Sequence, residues 1–580
     1  MGIDDDDTVI LSPFTVTGES DVGYDASSVL SGAGLRVPLT DVASAVSVIT
    51  PRFLEDTGST DLRDALVYQV GMEVTGPGGN FSNGSTALGF GWFAEAPQGN
   101  NTVTRVRGLA AATLARNFFR SVFPTDSYNV DCIDINRGAN ALLFGVGSPA
   151  GIINTSTEEA TLRKTTAEAQ LSVGSFGSHR ETFEANQVIV PEQLAVRVAT
   201  LNDDKQYKQD PAFNHDQRIY GALTWRIKSL ERGILSGTTI RANGEWGWID
   251  ANNPRNLTPQ DRFSGWFEDT IFPEYVAAGI TPKATANANA GGFVQGNGLV
   301  AAQNINRAPV LVFPDSSSAT ALDAAGTVNG KMVIGRSFVS NRYLFPNGSI
   351  GTAGQVATGY YRDILNRAGV PDMNLYYAQQ ITDPALFDFN NHLIDGPNKS
   401  EKMRFRGINI ALEQLFFNRK LGVELAYDRQ HAYEKQRILL TQAPWIAIDV
   451  NTHMWSGEVN PNFGRPMSGG QGSATDRTED VETTRAKVFY ELDLADRFQK
   501  GWGRFLGSHV FSALWQSETF ADDNRVGVPL FVEGNWIGGN SQAASAMPER
   551  TPHRWSISGP ISIRLRIPAA QASVAFKRIS

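Results

Sequence analysis

The sequence predicts a mainly β protein: the N-terminal part of an antiparallel transmembrane β-barrel, preceded by a small α+β unit. Three observations predict it. From about residue 158 onward, segments of roughly ten residues alternate apolar and polar side chains with period two, as barrel strands between lipid and lumen do. The connections between those segments are alternately short and long. The composition of the 580 residues is low in charge (19%) and carries 56 glycines, 27 prolines and 11 tryptophans, which suits a turn-rich β protein that does not face water on every side.

Composition also excludes several functions. With 51 basic against 60 acidic residues, the net charge of -9 argues against a nucleic-acid binder. No apolar run approaches the roughly 18 residues of a membrane-spanning helix. Met1 to Asp7 has neither a basic nor an apolar leader region, so an exported protein would be represented here in mature form. The single cysteine, Cys132, rules out an internal disulfide or a cysteine zinc site and reads as a buried apolar thiol. The seven histidines are scattered, so no catalytic constellation, metal site or cofactor is expected. Asp522-Asp523 reads as a solvated loop pair.

Residues 1–35 form a flexible arm: an acidic run, then a β-branched stretch, with no sustained period. Residues 36–158 form the α+β unit. Ala45 to Ile49 is a short strand, and Thr50-Pro51 is a helix cap followed by a first-turn proline. Thr60-Asp61 opens a second helix with Leu62, Ala65, Leu66 and Val70 on one face and Gly71 as its stop. Thr102 to Leu109 is a strand ending at Arg107-Gly108, and Cys132 to Ile135 is another that runs into Arg137-Gly138. A short helix, Ala139 to Phe144, stops at Gly145; the turn through Gly151 then delivers the strand Ile152 to Thr155. Gly145-Val146-Gly147 is no dinucleotide fingerprint, because no long helix follows it.

Residues 159–580 carry the alternation. Ile408, Ile410 and Leu412 alternate with Asn409, Ala411 and Glu413; Val423, Leu425 and Tyr427 alternate with Glu424, Ala426 and Asp428. The same pattern places Glu245 and Glu491 on the polar side, so Glu245, Glu413, Glu424 and Glu491 are candidate lumen carboxylates. Short connections at Val190–Gln193, Lys228–Gly237 and Asn418–Gly422 alternate with long ones near 202–216, 250–402 and 435–483. A soluble sandwich accounts for alternation alone but does not require that asymmetry. Trp225, Trp246, Trp248, Tyr433, Tyr490 and Trp515 fall near strand ends, as interfacial girdles do.

The arm and the α+β unit together resemble the TonB-dependent outer-membrane receptors. Asp7, Thr8, Val9, Ile10 and Leu11 resemble the TonB box, Val46 to Thr50 the opening of the plug domain, Val106-Arg107-Gly108 its internal strand, and Ile133 to Gly145 with Ala150 to Asn154 its closing signature. An extended β-branched segment on a loose arm is suited to adding a strand to a partner's sheet. The resemblance implies a plug seated in the barrel by Arg107 and Arg137 paired with barrel glutamates, with Gly108, Gly138, Gly145 and Gly151 shaping its turns. It further implies TonB and its inner-membrane energising complex as partners, outer-membrane lipid around the wall, and a scarce or bulky ligand (ferric siderophore, cobalamin or oligosaccharide) as cargo, in a non-enzymatic bacterial outer-membrane transporter. The family's barrel has about twenty-two strands. Only about ten strong segments are present here and the last residues lack a closing aromatic, so the expectation is the N-terminal part of a longer receptor. The rival readings are a secreted β-rich carbohydrate-active enzyme or adhesin, and a passive porin.

Overall fold

In the computed structural model the described residues are 23–74 (apart from 27, 31–35 and 40–44), 104–138, 148–255, 258–261, 381–438, 473–493 and 508–530, with short strand segments elsewhere. The TonB-box residues 7–11, Gly145 and the helix expected at 139–144 lie outside them.

The N-terminal unit is a five-stranded sheet with two short helices. Its strands are β1 (Ala45–Ile49), β4 (Thr113–Arg116), β5 (Phe119–Arg120), β6 (Val130–Arg137) and β7 (Gly151–Thr157), in the order β1-β6-β7-β4-β5; β2 (Met72–Val74) and β3 (Thr104–Val106) form a separate pair. Helix α1 (Pro51–Thr57) starts where expected: Thr50 Oγ1 accepts the Phe53 N–H, Pro51 occupies the first turn, and Gly58 closes the helix at φ 64. Helix α2 (Leu62–Leu66) is capped by Asp61, which accepts the Asp64 N–H at 2.9 Å. It is shorter than the periodicity predicts. Leu62, Ala65 and Leu66 are buried, but the helix ends at Leu66 and leaves Val70 86% exposed. Their apolar faces pack with Ile49, Ile133, Ile135 and Ile153 into the core of the unit. Gly151 is required there: at φ +125, an added Cβ would lie 2.0 Å from the Asn136 carbonyl oxygen.

The chain then enters a curtain of long antiparallel strands, each paired with the next: β8 (Thr166–Val173), β9 (His179–Val190), β10 (Leu194–Gln206), β11 (Phe213–Arg226), β12 (Leu235–Asn252), β13 (Ser400–Phe416), β14 (Leu421–Ile438), β15 (Ser473–Asp493) and β16 (Ser508–Leu530). Segments Arg554–Ile557, Ile561–Ile567 and Ser573–Ile579 pair successively along β16 and trace one interrupted further strand. Short turns alternate with long excursions, as the sequence predicts. The strands are longer than expected. Residues 202–206 and 213–216 continue the ladder instead of forming a loop, and Asp522 and Asp523 lie inside β16, where Asp522 pairs with Arg477 at 2.8 Å and Asp523 with Arg525 at 2.9 Å.

The sheet is inside out relative to a water-soluble protein. On β14 the even positions Glu424, Ala426, Asp428, Gln430 and Ala432 are buried, while Leu425 is 51% exposed. On β13 Phe405, Glu413 and Leu415 are buried, and Ile408, Ile410 and Leu412 are exposed. Trp225, Trp246, Trp248, Val488, Tyr490 and Trp515 share the outward face. A sheet that turns acids inward and isoleucines outward is built for lipid outside and a polar interior. A secreted soluble enzyme or adhesin would bury that apolar face instead.

Candidate plug and barrel interface

The inward face of the curtain closes on the N-terminal unit through residues 116–130 and 154–160. The β4–β5 hairpin is the main contact, and its turn explains its shape: Asn117 (φ 49) and Phe118 (φ 62) are both left-handed, and the Phe118 N–H is held by Asn154 Oδ1 at 2.7 Å. The turn aims Arg116 and Arg120 at the wall.

Glu245, the inward acid of β12, is the centre. Its side chain is 1% exposed and pairs with Arg116; Arg218 Nη1 lies at 3.6 Å. Tyr128 Oη donates to Glu245 Oε1 at 2.9 Å and Asn129 Nδ2 to Oε2 at 3.0 Å. Three residues of the unit and one wall arginine therefore converge on one wall carboxylate. Burial and the Glu245 carboxylate push the Tyr128 phenol well above its ordinary pKa, so it stays a donor. Around this centre, Arg180 pairs with Asp126 at 2.6 Å, Arg120 with Glu518 at 2.9 Å, and Arg218 Nη1 donates to the Pro124 carbonyl at 2.6 Å. Gln430 bridges both ways, accepting the Val122 N–H at 3.2 Å and donating to the Arg120 carbonyl at 2.8 Å.

One apolar contact locks the same interface. Phe123 stacks on Phe405 at 4.6 Å between centroids, 11° from parallel. Two wall glycines make the room: a Cβ on Gly247 would meet the Phe405 ring at 2.0 Å, and one on Gly407 would meet Phe123 at 2.9 Å.

Of the residues singled out from sequence, Glu413 and Glu424 also face inward, toward wall cations. Glu413 pairs with Arg241 at 2.5 Å; Glu424 lies 3.1 Å from Lys487 and 3.8 Å from Arg485, whose Nη1 donates to the Phe118 carbonyl of the unit. Glu491 has the inward parity but sits exposed at the end of β15, where its N–H bonds the Lys420 carbonyl at 2.7 Å. Arg107 and Arg137 are brought to each other. Arg137 Nη1 donates to Ser47 at 2.7 Å, and burial together with the neighbouring Arg107 lowers its pKa. Among the described residues neither arginine meets a wall carboxylate; Arg107 lies in an exposed turn at φ 52, followed by Gly108 at φ 70. Arg116 occupies the place expected for them. The sequence signal for it was weak, because a left-handed phenylalanine is not a recognisable hairpin turn residue.

Two cavities lie along the interface. The outer one, about 170 Å³, opens between the tip of the unit (Asp61, Arg63) and the long-loop ends of the strands, where the side chains of Lys205, Tyr207 and Glu434 have no hydrogen-bond or ion-pair partner among the described residues. The inner one, about 70 Å³, lies toward the short turns beside Asn117, Arg241 and Lys487. No group of three or more potential metal ligands occurs among the described residues.

This polar-seated unit inside an inverted sheet has known counterparts. The TonB-dependent receptor plug domain matches residues 38–152. In that unit the chain is similar to the TonB-dependent receptors. A probable TonB-dependent receptor of Bordetella pertussis, BfrD, is 26% identical over 44% of this chain and 31% of its own length. The metal-pseudopaline receptor CntO of Pseudomonas aeruginosa is 22% identical over 45% of this chain and 36% of its own. The ferripyoverdine receptor of the outer membrane of Pseudomonas aeruginosa shares the fold, with a TM-score of 0.51 at 11% identity, covering 94% of this chain and 51% of that one. The chain thus spans about a third of the length of the curated relatives it matches and about half of that solved structure. The comparisons thus agree with the geometry on a plug-like N-terminal unit followed by the wall of a barrel.

Proposed function

We propose that this receptor carries a ferric siderophore or a similar metal chelate across the outer membrane, driven by TonB. The observation that carries the reading is the plug held in the lumen by Arg116, Tyr128 and Asn129 on Glu245, beneath an outer cavity with unpaired polar groups. The names of the relatives CntO and the ferripyoverdine receptor support a metal chelate as the cargo class. Ligand binds at the outer cavity and the long excursions. The arm, with Asp7 to Leu11, then pairs as a strand with TonB, and the inner-membrane complex supplies the pull that loosens the plug. Arg107 and Arg137, adjacent and without a carboxylate among the described residues, form a second seating pair for acids elsewhere in the barrel. No bond of the cargo breaks.

The test is uptake of radio-iron-labelled siderophores by cells that carry the full-length receptor, with and without residues 7–11. The deletion abolishes uptake and leaves surface binding intact. Uptake that survives the deletion removes TonB from the mechanism.

A further inference from the structure

The short turns of the wall carry more positive charge than their own acids answer. Backbone hydrogen bonds tie these turns into one continuous rim: the Glu192 N–H donates to the Leu162 carbonyl at 3.1 Å, Arg226 N–H to Gln193 at 2.7 Å, Phe417 N–H to Ile234 at 2.8 Å and Glu491 N–H to Lys420 at 2.7 Å. Three bases of the rim face an acid. Lys228 pairs with Glu192 at 2.6 Å, Arg226 with Glu231 at 2.7 Å, and Lys420 stands beside Glu491. Four do not. Arg163, Lys164 and Arg232 are exposed and Arg419 is half-buried, and the side chains of all four are without a hydrogen bond or ion pair among the described residues. Arg163 lies near Glu192, and Arg419 near Glu231, but each of those carboxylates is already taken. The turn that carries Arg419 is left-handed at three successive residues, Phe417 (φ 52), Asn418 (φ 52) and Arg419 (φ 68). It leaves Arg419 near Arg226, and burial together with that like charge lowers the Arg419 pKa. An anion is what this rim lacks.

The same chain holds the complement. Asp4, Asp5, Asp6 and Asp7 are four consecutive acids that run directly into Thr8 to Leu11. The first described residue, Gly23, is fixed to the plug. Its carbonyl accepts the Thr50 hydroxyl at 2.8 Å, and the next residue, Tyr24, donates its phenol to Asp56 at 2.9 Å. Sixteen residues separate Gly23 from Asp7. Fully extended they span about 50 Å, long enough to bring the acids to the rim.

We propose that the rim, through Arg163, Lys164, Arg232 and Arg419, is a docking surface for this chain's own acidic run, Asp4, Asp5, Asp6 and Asp7. Four unanswered cations meet four acids. Each exposed pair is weak alone, but the tether at Gly23 keeps the acids at high local concentration, so the contacts add. Docking holds residues 8–11 along the short-turn side of the wall. A partner that takes residues 7–11 as a strand must therefore compete with the rim for Asp7. The inference rests on the reading given above of the short turns as the periplasmic side and of residues 7–11 as the target of TonB, and it is independent of the cargo.

The experiment uses the full-length receptor in dodecyl maltoside with a nitroxide spin label on Ser12→Cys; Cys132 is 1% exposed and stays unlabelled. At low salt the label reports a mainly immobilised arm. In about 1 M salt, where attraction is screened beyond about 3 Å, the arm becomes mobile. Neutralising the run (Asp4→Asn, Asp5→Asn, Asp6→Asn) lowers the ratio of docked to free arm at low salt by about tenfold, the sum of a few exposed pairs. Neutralising the rim (Arg163→Gln, Lys164→Gln, Arg232→Gln, Arg419→Gln) does the same. Reversing charge on both sides (Asp4→Lys, Asp5→Lys, Asp6→Lys with Arg163→Glu, Lys164→Glu, Arg232→Glu) restores docking. The arm variant leaves the wall sequence intact, so its result stands even if the rim variant fails to fold. An arm equally mobile with and without its aspartates would overturn the proposal, as would an immobilised arm that ignores salt. So would a rim variant that leaves the arm docked and only weakens binding of phosphatidylglycerol vesicles, because the rim would then serve lipid phosphates. The assay contains no TonB. Its failure therefore leaves the TonB step standing, while uptake that survives deletion of residues 7–11 removes TonB and leaves the docking.

Discussion

The two faces of strand β14 are built for different surroundings. One residue apart, Glu424 is sealed from solvent and Leu425 is half exposed. The inward face is held by charge and hydrogen bonds: Glu245, Glu413 and Glu424 each have a cation within 4 Å, Asp428 accepts from Asn409 and Gln430, and the plug is part of that network. The outward face contributes nothing to the plug and is stable only in a medium as apolar as itself. The same backbone ladder thus serves two solvents, and a substitution should be read by the face it falls on.

The largest effect is expected inside. Glu245→Ala leaves Arg116 buried without its acid, together with two orphaned donors, Tyr128 and Asn129, while Arg218 keeps Asp216 at 2.6 Å. Removing one partner of a buried ion pair costs about 3–5 kcal/mol. Chemical unfolding of the full-length receptor should show the plug released at lower denaturant while the barrel transition keeps its midpoint. Limited proteolysis should cut within 38–152 before the wall. A plug transition that does not move would mean that Glu245 is not what seats it.

Outside, the sharpest contrast is Leu425→Arg. The site lies between Leu412 and Ala486 in the middle of the apolar band. In a soluble protein a substitution at a half-exposed position changes stability by about 0.5 kcal/mol at most. Facing the bilayer midplane, the same change costs about 2–4 kcal/mol. Folding titrations into phospholipid vesicles measure the difference. A loss near zero would place this face in water and remove the membrane reading.

Much of this division was visible before any coordinates. Period two is robust in a barrel because each residue meets only lipid or lumen, so Glu245, Glu413 and Glu424 declare their side by parity alone. Thr50-Pro51 was equally plain, since capping chemistry is local. What escaped prediction was set by long-range partners. Glu491 has the right parity but lies past the covered part of the wall. Val70 fits the helical face of α2 but falls after the helix has ended. Arg116 lies in a hairpin whose turn uses Asn117 and Phe118 at positive φ, a geometry that Asn154 stabilises from 36 residues away. Strand length was underestimated for a related reason: above the lipid, apolar alternation stops while pairing continues, so residues 202–206, 213–216 and 473–483 read as loop.

The smallest effect calibrates the other two. On the surface of the plug, Arg52 bridges Glu55 at 3.0 Å and Asp56 at 2.8 Å, distances as short as those of the buried network. Its side chain is 58% exposed, so water already solvates all three charges and salt screens what attraction remains. Exposed pairs of this kind are worth about 0–1 kcal/mol. Arg52→Ala should therefore leave the plug transition within that range of wild type, and the residual difference should vanish in high salt, whereas the loss in Glu245→Ala should persist there. If the Arg52 variant instead matched the Glu245 variant, ion-pair distance rather than burial would govern plug seating, and the contrast between the two faces of the wall would lose its physical basis.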